Sequence, residues 1–251
     1  MTAGNRLFGL VRSLAVYHAI PLRQRRLRAL YGQFVSASDL VFDLGAHAGN
    51  HTRALTAVGC RVVALEPQPD FARLLRTMFA RVPEVEIVES AVAETEGRAT
   101  LSVSDRTPTM TTLAVGWRDA RAQQPLFSGV RWNRPISVKT TTLDALIERF
   151  GMPAFVKIDV EGAEPSVLAG LSHPLAALSF EYLPDALDYA RTCVRSLAEL
   201  GHYRYNWSRG ETFRLVGAHW MNAAELFASL NIIDGSCKSG DIYARLDGSK
   251  C

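Results

Sequence analysis

Four acidic residues stand where apolar runs end: Asp43, Glu66, Asp159 and Glu181. Open α/β sheets bind ligands outside the carboxyl ends of their strands, so residues at such exits are the first to weigh for chemistry. In VFDLGAHAGNHT, Val41 to Thr52, the acid is followed by Gly45, His47 and Gly49 and then by a stretch that suits a helix. Glycine permits backbone geometry that a side chain would block, and the first free amides of the following helix point at whatever sits over the turn. About twenty residues on, RVVALEP ends a second strand in Glu66, where such folds place the acid that accepts hydrogen bonds from ribose hydroxyls. The pair argues for an adenosine-containing ligand. A dinucleotide fingerprint has glycine at its first, third and sixth positions, whereas Gly45, His47 and Gly49 fall at the first, third and fifth. That spacing disfavours a pyrophosphate cradle and, with it, the competing reading of a nicotinamide-dependent oxidoreductase.

The spacing Asp43, Gly45, His47, Gly49 resembles the acid-x-Gly-x-Gly-x-Gly turn of class I methyltransferases, with histidine in place of the middle glycine. Further along, FVKIDVEGAEPSVLAG, Phe155 to Gly170, is similar to the Lys-Ile-Asp-Val-Glu-Gly-x-Glu signature of FkbM-like methyltransferases. VFDLGAHAGNHT is similar to that family's Asp-x-Gly-Ala-Asn-x-Gly-x-x-Thr pattern, and VKTTTLDAL to the segment preceding its signature. The resemblance covers roughly Leu40 to Tyr182 and departs at His47, where the family usually carries asparagine. It implies S-adenosylmethionine as cofactor, with Asp43, Gly45, His47, Gly49, Glu66, Ser90 and Ala91 as the residues that hold it. Asp43 is expected to orient the turn or, directly or through water, the cofactor's ammonium group. Ser90 and Ala91, at the third strand's exit, lie where related enzymes hold the adenine edge.

Asp159 and Glu161, with Lys157 just inside the strand, flank the place where a methyl group would meet its acceptor. Methyl transfer is an in-line displacement whose main demand is position, which supplies roughly 7–11 kcal/mol in good cases. A general base adds typically about 10²- to 10⁴-fold. Asp159 is the first candidate for that base, with Glu161 and Glu181 beside it as further catalytic candidates. Asp159 and Glu181 are alternatively placed to share a magnesium or calcium ion, since hard cations take oxygen ligands. Against this, Glu161 and Glu164 read equally as acids that start the next helix. His47 and His51 are spaced i, i+4, but Gly49 between them argues against a metal pair. Thr109, Thr111 and Thr112 are expected to line the substrate entrance, and Trp117, Trp132, Trp207 and Trp220 to pack.

These residues need a scaffold, and the chain alternates to supply one. Strands are predicted over 40–44, 61–65, 85–88, 154–158 and 177–182, with helices over 50–58, 70–80, 143–150, 164–170 and 184–200, the rhythm of parallel βαβ units. Residues 98–142 break that rhythm with strands over 99–103 and 136–141 around a polar, Thr-rich loop, and loops of such length are usually functional or disordered. The fold class expected is α/β, a doubly wound, mostly parallel seven-stranded sheet of the class I methyltransferase type with an N-terminal helical arm. By that resemblance the late strands 203–207 and 242–246 form an antiparallel edge, with 212–239 an excursion between them. The arm takes residues 1–38 and the methyltransferase domain 39–251.

At 251 residues, 48% hydrophobic and 21% charged, the chain suffices for one sizeable domain burying roughly 70–75% of its unfolded surface. The first 38 residues hold six arginines and no acid, so the remainder carries 22 basic against 25 acidic residues. A net acidic body argues against phosphate tracking and hence against a nucleic-acid partner. In the arm, Leu7, Leu10, Val11, Leu14 and Tyr17 recur at helical spacing, Pro21 breaks the run, and Leu22, Leu27 and Leu30 form a second apolar stripe among Arg23, Arg25, Arg26 and Arg28. The stripe is read as a lid packed on the domain with its arginines solvated, with a membrane surface or acidic partner as the other option. Cys60, Cys193, Cys237 and Cys251 lack metal spacing and are expected to be reduced thiols. No apolar run approaches the roughly twenty residues that cross a bilayer, and the N-terminal ones are interrupted by Arg12 and His18, so a cytoplasmic enzyme is expected. The reaction expected is O-methylation of a small-molecule hydroxyl on a sugar, polyketide or other secondary metabolite. A non-catalytic module retaining the fold is the remaining option.

Overall fold

Apolar runs too short to be helices and buried on both faces build the centre of the protein, as parallel strands covered by helices must be. The structure is a computed structural model and describes residues 8–14, 21–232 and 239–248. A helical segment over 8–14 (α1) is followed by α2 (Pro21–Tyr31), β1 (Leu40–Leu44), α3 (Asn50–Val58), β2 (Arg61–Leu65), α4 (Pro69–Met78) and β3 (Val85–Val88). Next come β4 (Ala91–Val92), β5 (Gly97–Val103), α5 (Val115–Ala122), β6 (Arg134–Thr141), α6 (Leu143–Phe150), β7 (Phe155–Ile158) and α7 (Glu164–Ala169). The chain closes with β8 (Ala177–Tyr182), α8 (Leu187–Leu200), β9 (Tyr203–Trp207), α9 (Ala223–Leu230) and β10 (Gly240–Leu246).

Seven strands form one sheet in the order β3-β2-β1-β7-β8-β10-β9, and β4-β6-β5 form a smaller one. In the large sheet β10 alone is reversed, pairing antiparallel with both β8 and β9. The chain therefore leaves β1 toward β2 on one side and reaches β7 on the other, which opens a crevice at the carboxyl ends of β1 and β7.

Side chains alternate between two cores. Phe42, Leu44, Val156, Ile158, Leu178 and Phe180 pack under α6, α7, α8 and α9. Val41, Phe155, Ala177 and Tyr243 pack under α2 and α3 on the opposite face. On that second face the register places Asp43 beside Lys157, Lys157 beside Ser179, Ser179 beside Tyr243 and Tyr243 beside Asn206. All five are buried. Because side chains alternate along a strand, the next row on this face, two residues nearer the carboxyl edge, holds Asp159, Glu181 and Asp241. The period of the strands thus delivers the acids to one edge.

Four expectations change. The loop expected over 104–135 contains α5, whose Trp117 is buried and whose Arg121 pairs with Asp185 Oδ2 at 2.6 Å. These are tertiary contacts that outweigh a sequence with one large apolar residue on the inner face. Pro21 does not merely break the arm: it opens α2, where a missing N–H costs nothing. Leu22 is 59% exposed rather than part of the buried stripe, which is completed instead by Tyr31 and Phe34. Arg23, expected among solvated arginines, is buried, paired with Glu211 and set over the Phe213 ring. Leu7, Tyr17, His18, Cys237 and Cys251 lie outside the described residues. Cys60 and Cys193 are free thiols, as expected. No helix among the described residues is long and apolar enough to cross a membrane.

Candidate active site

The turn from β1 to α3 is held in place from beneath. Gly45 and Ala46 donate their amides to the Leu65 carbonyl at 3.0 and 2.9 Å. Gly45 has φ +79°, and a Cβ there would overlap the Asp159 carbonyl oxygen, so glycine is required by the approach of two strand exits. Gly49, at φ +75°, caps α3 and faces Leu75 of α4 and Phe79 just past its end. Asp43 lies under the turn: its Oδ2 accepts from the Thr52 hydroxyl at 2.6 Å, and its Oδ1 has no hydrogen-bond partner and lies 3.9 Å from Lys157 Nζ.

Above the turn opens a cavity at the strand exits, lined by both apolar and polar side chains as small-molecule and cofactor sites are. Gly45, His47, Glu66, Ser90, Ala91, Asp159 and Glu161, seven of the residues singled out from sequence, line it. Asp43, Gly49 and Glu181 do not belong to its wall. The first two shape the turn from below, while Glu181 places its carboxylate within 4.8 Å of those of Asp159 and Glu161.

At one end Glu66 accepts the His47 amide on Oε2 at 2.9 Å and the Gln68 amide on Oε1 at 2.8 Å. Each carboxylate oxygen retains acceptor capacity, which suits a diol. Burial pushes the Glu66 carboxyl up to about 7, against the pull of those two amides. Ser90 turns its hydroxyl to the carbonyls of Ala91 and Lys139, so its backbone borders the cavity. His47 stacks on Phe71 with ring centroids 4.2 Å apart, and burial lowers its pKa to about 4, so the ring is neutral. His51 bonds Tyr31 Oη through Nδ1 at 2.5 Å, and the two histidines do not act as a pair.

At the other end Lys157 Nζ donates to Asp159 Oδ2 at 2.8 Å. Burial opposes the lysine's charge, but Asp159 and Asp43 outweigh it and raise its pKa. Burial first raises the Glu161 and Glu181 carboxyls well above the usual carboxylate range, reinforced at Glu161 by Glu181 and Asp159 and at Glu181 by Asp159 and Glu164. Glu161 sits at φ +55° and is followed by Gly162 at φ +91°. A Cβ on Gly162 would overlap the Trp117 ring, and Thr112 Oγ1 donates to the Glu161 carbonyl at 2.6 Å. The segment with α5 therefore clamps this turn, so Trp117 packs as expected but at the site's edge. Glu164 donates nothing to the cavity chemistry: its Oε1 accepts the amides of Val160 and Gly162. Thr109, Thr111 and Thr112 line the cavity as expected, together with Pro108, Leu101 and Leu113.

Sequence reasoning missed Asn50, Gln68 and His51 on the wall. Asn50 follows the glycine turn, and the signal for it was the position at the helix start.

A crevice where strand order reverses, a sheet with one antiparallel strand next to its edge and a second-strand acid on the cavity wall are the arrangement of a class I, S-adenosylmethionine-dependent methyltransferase. The chain belongs to the family of the Methyltransferase FkbM domain, which it matches over residues 43–194. A 58-residue stretch is 41% identical to an ornithine lipid N-methyltransferase of Singulisphaera acidiphila, covering 22% of this chain and 30% of that protein. The chain thus spans less than a third of that relative's length in the match. Among solved structures, an O-methyltransferase from Bacillus cereus in complex with SAH is 12% identical with a TM-score of 0.47, covering 98% of this chain and 92% of that one. A TehB-like SAM-dependent methyltransferase from Corynebacterium glutamicum is 11% identical with a TM-score of 0.46, covering 94% of each. The residues present fit S-adenosylmethionine: the cavity holds a buried carboxylate with spare acceptor capacity at one end and, in Asn50 Nδ2, a buried donor without a partner on its wall.

Proposed function

We propose that this protein transfers a methyl group from S-adenosylmethionine to a hydroxyl of a small molecule such as a sugar, polyketide or other secondary metabolite. The observation that carries the reading is the gathering of Asp159, Glu161 and Glu181 within 4.8 Å of one another at the cavity's far end. When bound, the cofactor supplies a methyl group on a positively charged sulfur. Glu66 accepts from the ribose hydroxyls, and Gly45, His47, Ser90 and Ala91 shape the wall around the nucleoside. Asp43 holds the turn through Thr52. Lys157 fixes the Asp159 carboxylate, and Asp159 orients the acceptor hydroxyl and takes its proton. Glu161 and Glu181, whose carboxyls burial raises well above the usual carboxylate range, stand beside it to pass the proton on.

Calorimetric titration with S-adenosylhomocysteine, with NADH in a parallel cell, tests the cofactor, and mass-spectrometric screening of hydroxylated compounds tests the acceptor. Binding of the first ligand alone and a gain of one methylene mass are the expected results. Glu66→Ala is expected to weaken S-adenosylhomocysteine binding by about 10- to 100-fold, the worth of hydrogen bonds to a charged group. In the wild type, affinity is expected to fall as pH drops below about 7, where Glu66 takes up a proton, and Glu66→Gln should flatten that dependence. A pH-independent wild type would refute the role given to this carboxylate.

A second reading has an amine as acceptor. It is favoured by the 58-residue likeness to an ornithine lipid N-methyltransferase, because a carboxylate cluster attracts an ammonium group as readily as it takes a hydroxyl proton. Competition between amine and hydroxyl acceptors separates the two. Because Lys157 neutralises Asp159 and burial favours the neutral forms of Glu161 and Glu181, turnover is expected to survive excess EDTA. Loss of turnover restored by magnesium would instead give these three carboxylates to a cation.

A further inference from the structure

α1 and α2 are both seated on the wall of the cavity. On α1, a Cβ on Gly9 would overlap the Asp105 carbonyl oxygen and the Pro108 ring, and Ser13 Oγ lies 3.4 Å from His47 Nε2. On α2, Leu27, Leu30 and Tyr31 are buried, and Gln24 Nε2 donates to Asn50 Oδ1 at 2.6 Å. Pro108, His47 and Asn50 all line the cavity. The inner faces of the two helices are therefore committed to the site.

Their outer faces combine bare apolar surface with unpaired positive charge. Phe8 and Val11 on α1 and Leu22 on α2 are each more than half exposed. They are three of the seven large apolar side chains left exposed among the described residues, so such surface is concentrated on these two helices. Arg12, Arg25, Arg26 and Arg28 are exposed beside them. Positions 8, 11 and 12 on α1, and 22, 25, 26 and 29 on α2, follow the spacing that puts side chains on one helix face. Arg12 donates to the Arg106 carbonyl at 3.2 Å. Among the described residues no carboxylate pairs with any of the four arginines, and the acids met beneath the helices, Glu211 and Asp105, are taken by Arg23 and Arg134.

We propose that the outer faces of α1 and α2 form a docking surface for an anionic lipid bilayer. The arginines supply the attraction, each basic residue near an anionic membrane surface raising affinity about fivefold. The apolar side chains select the partner: a bilayer has an acyl region for Phe8, Val11 and Leu22 to enter, whereas a nucleic-acid backbone offers phosphates to the arginines and nothing to them. Because both helices rest on the cavity wall, docking brings the site to the lipid headgroups.

Flotation of the full chain with vesicles tests this, using equal parts phosphatidylglycerol and phosphatidylcholine against phosphatidylcholine alone. The expected result is binding to the anionic vesicles, little to the neutral ones, and release in high salt, which screens surface charge. Combining Arg25→Gln, Arg26→Gln and Arg28→Gln is expected to lower partitioning onto anionic vesicles by about 100-fold. Phe8→Ser with Val11→Ser leaves the charge alone and should lower it by about tenfold or more, through the lost apolar contact. Thermal unfolding at the wild-type temperature shows that the variants are folded. Vesicle binding is read without cofactor, so a failure to bind S-adenosylhomocysteine would strike the cofactor reading and leave this one standing. No flotation of the wild type with anionic vesicles, equal flotation with neutral ones, or full binding by either folded variant would overturn the proposal. Binding to polyuridylic acid or polyglutamate without binding to vesicles would give the face to another polyanion and overturn it equally.

Discussion

Replacing Lys157 by methionine is expected to lower the unfolding free energy by about 3–5 kcal/mol, the range for removing one partner of a buried ion pair. Lys157 is 2% exposed and lies between two carboxylates, 2.8 Å from Asp159 Oδ2 and 3.9 Å from Asp43 Oδ1. Asp43 is wholly buried, and its Oδ1 has no hydrogen bond to replace the lysine's field. Its carboxyl is already raised by burial, with Lys157 the largest influence holding it down. Without the lysine that pKa climbs further. A carboxyl raised in the folded state costs stability as pH rises from its unfolded value, about 3.9, through its folded one. The deficit of the variant should therefore be small in acid and grow as pH rises toward neutral. Adding Asp43→Asn, which keeps an acceptor for Thr52 while removing the stranded charge, should recover part of the loss. Urea unfolding of the single and double variants at pH 5 and pH 7.5 checks this, and a Lys157→Met protein as stable as wild type at the higher pH would refute it.

The same lysine shows where sequence is legible and where it stops. Strand period places Asp43 and Lys157 at interior positions and Asp159 at an exit, so the order of strands and the acids at their ends follow from alternation and from the family motifs. The central strands match their predicted bounds to within a residue. What alternation does not encode is which strands neighbour each other. That Asp43 pairs with Lys157 depends on β7 lying beside β1, a crossover of more than a hundred residues. The motif's glycines were legible as turn formers, but their reason was not: Gly45 makes room for the backbone of Asp159 and Gly49 for α4. Asn50 was illegible for a similar cause, since its side chain is held by Gln24, 26 residues earlier on α2. Leu22 and α5 were misread because amphipathic pattern reports which residues prefer burial, whereas Arg23 and Arg121 are buried by ion pairs that only the folded chain supplies.

Asp159→Asn is expected to reduce kcat by about 10²- to 10⁴-fold, the usual worth of a general base, while changing S-adenosylhomocysteine affinity only slightly. The reasoning begins with what the substitution leaves alone. Asn retains the shape of the side chain and an oxygen for the Lys157 bond, and Lys157 keeps Asp43 as a counter-ion, so the sheet's polar row remains neutralised. The turn that carries the side chain is anchored independently, by the Asp159 amide on the Leu44 carbonyl at 3.1 Å and by Glu164 on the amides of Val160 and Gly162. What disappears is the ability to accept a proton. A loss confined to kcat marks an interaction made in the transition state, whereas a parallel loss in cofactor affinity would mark a binding role. Glu181→Gln supplies the comparison: its carboxyl touches the cluster from outside the cavity wall, so its loss should be smaller and should shift the pH profile more than the maximal rate. An Asp159→Asn enzyme with wild-type kcat would move the base to Glu161, the other carboxylate of the cluster on the wall. A rate defect matched by an equal defect in S-adenosylhomocysteine binding would make Asp159 part of the cofactor's hold rather than of the chemistry.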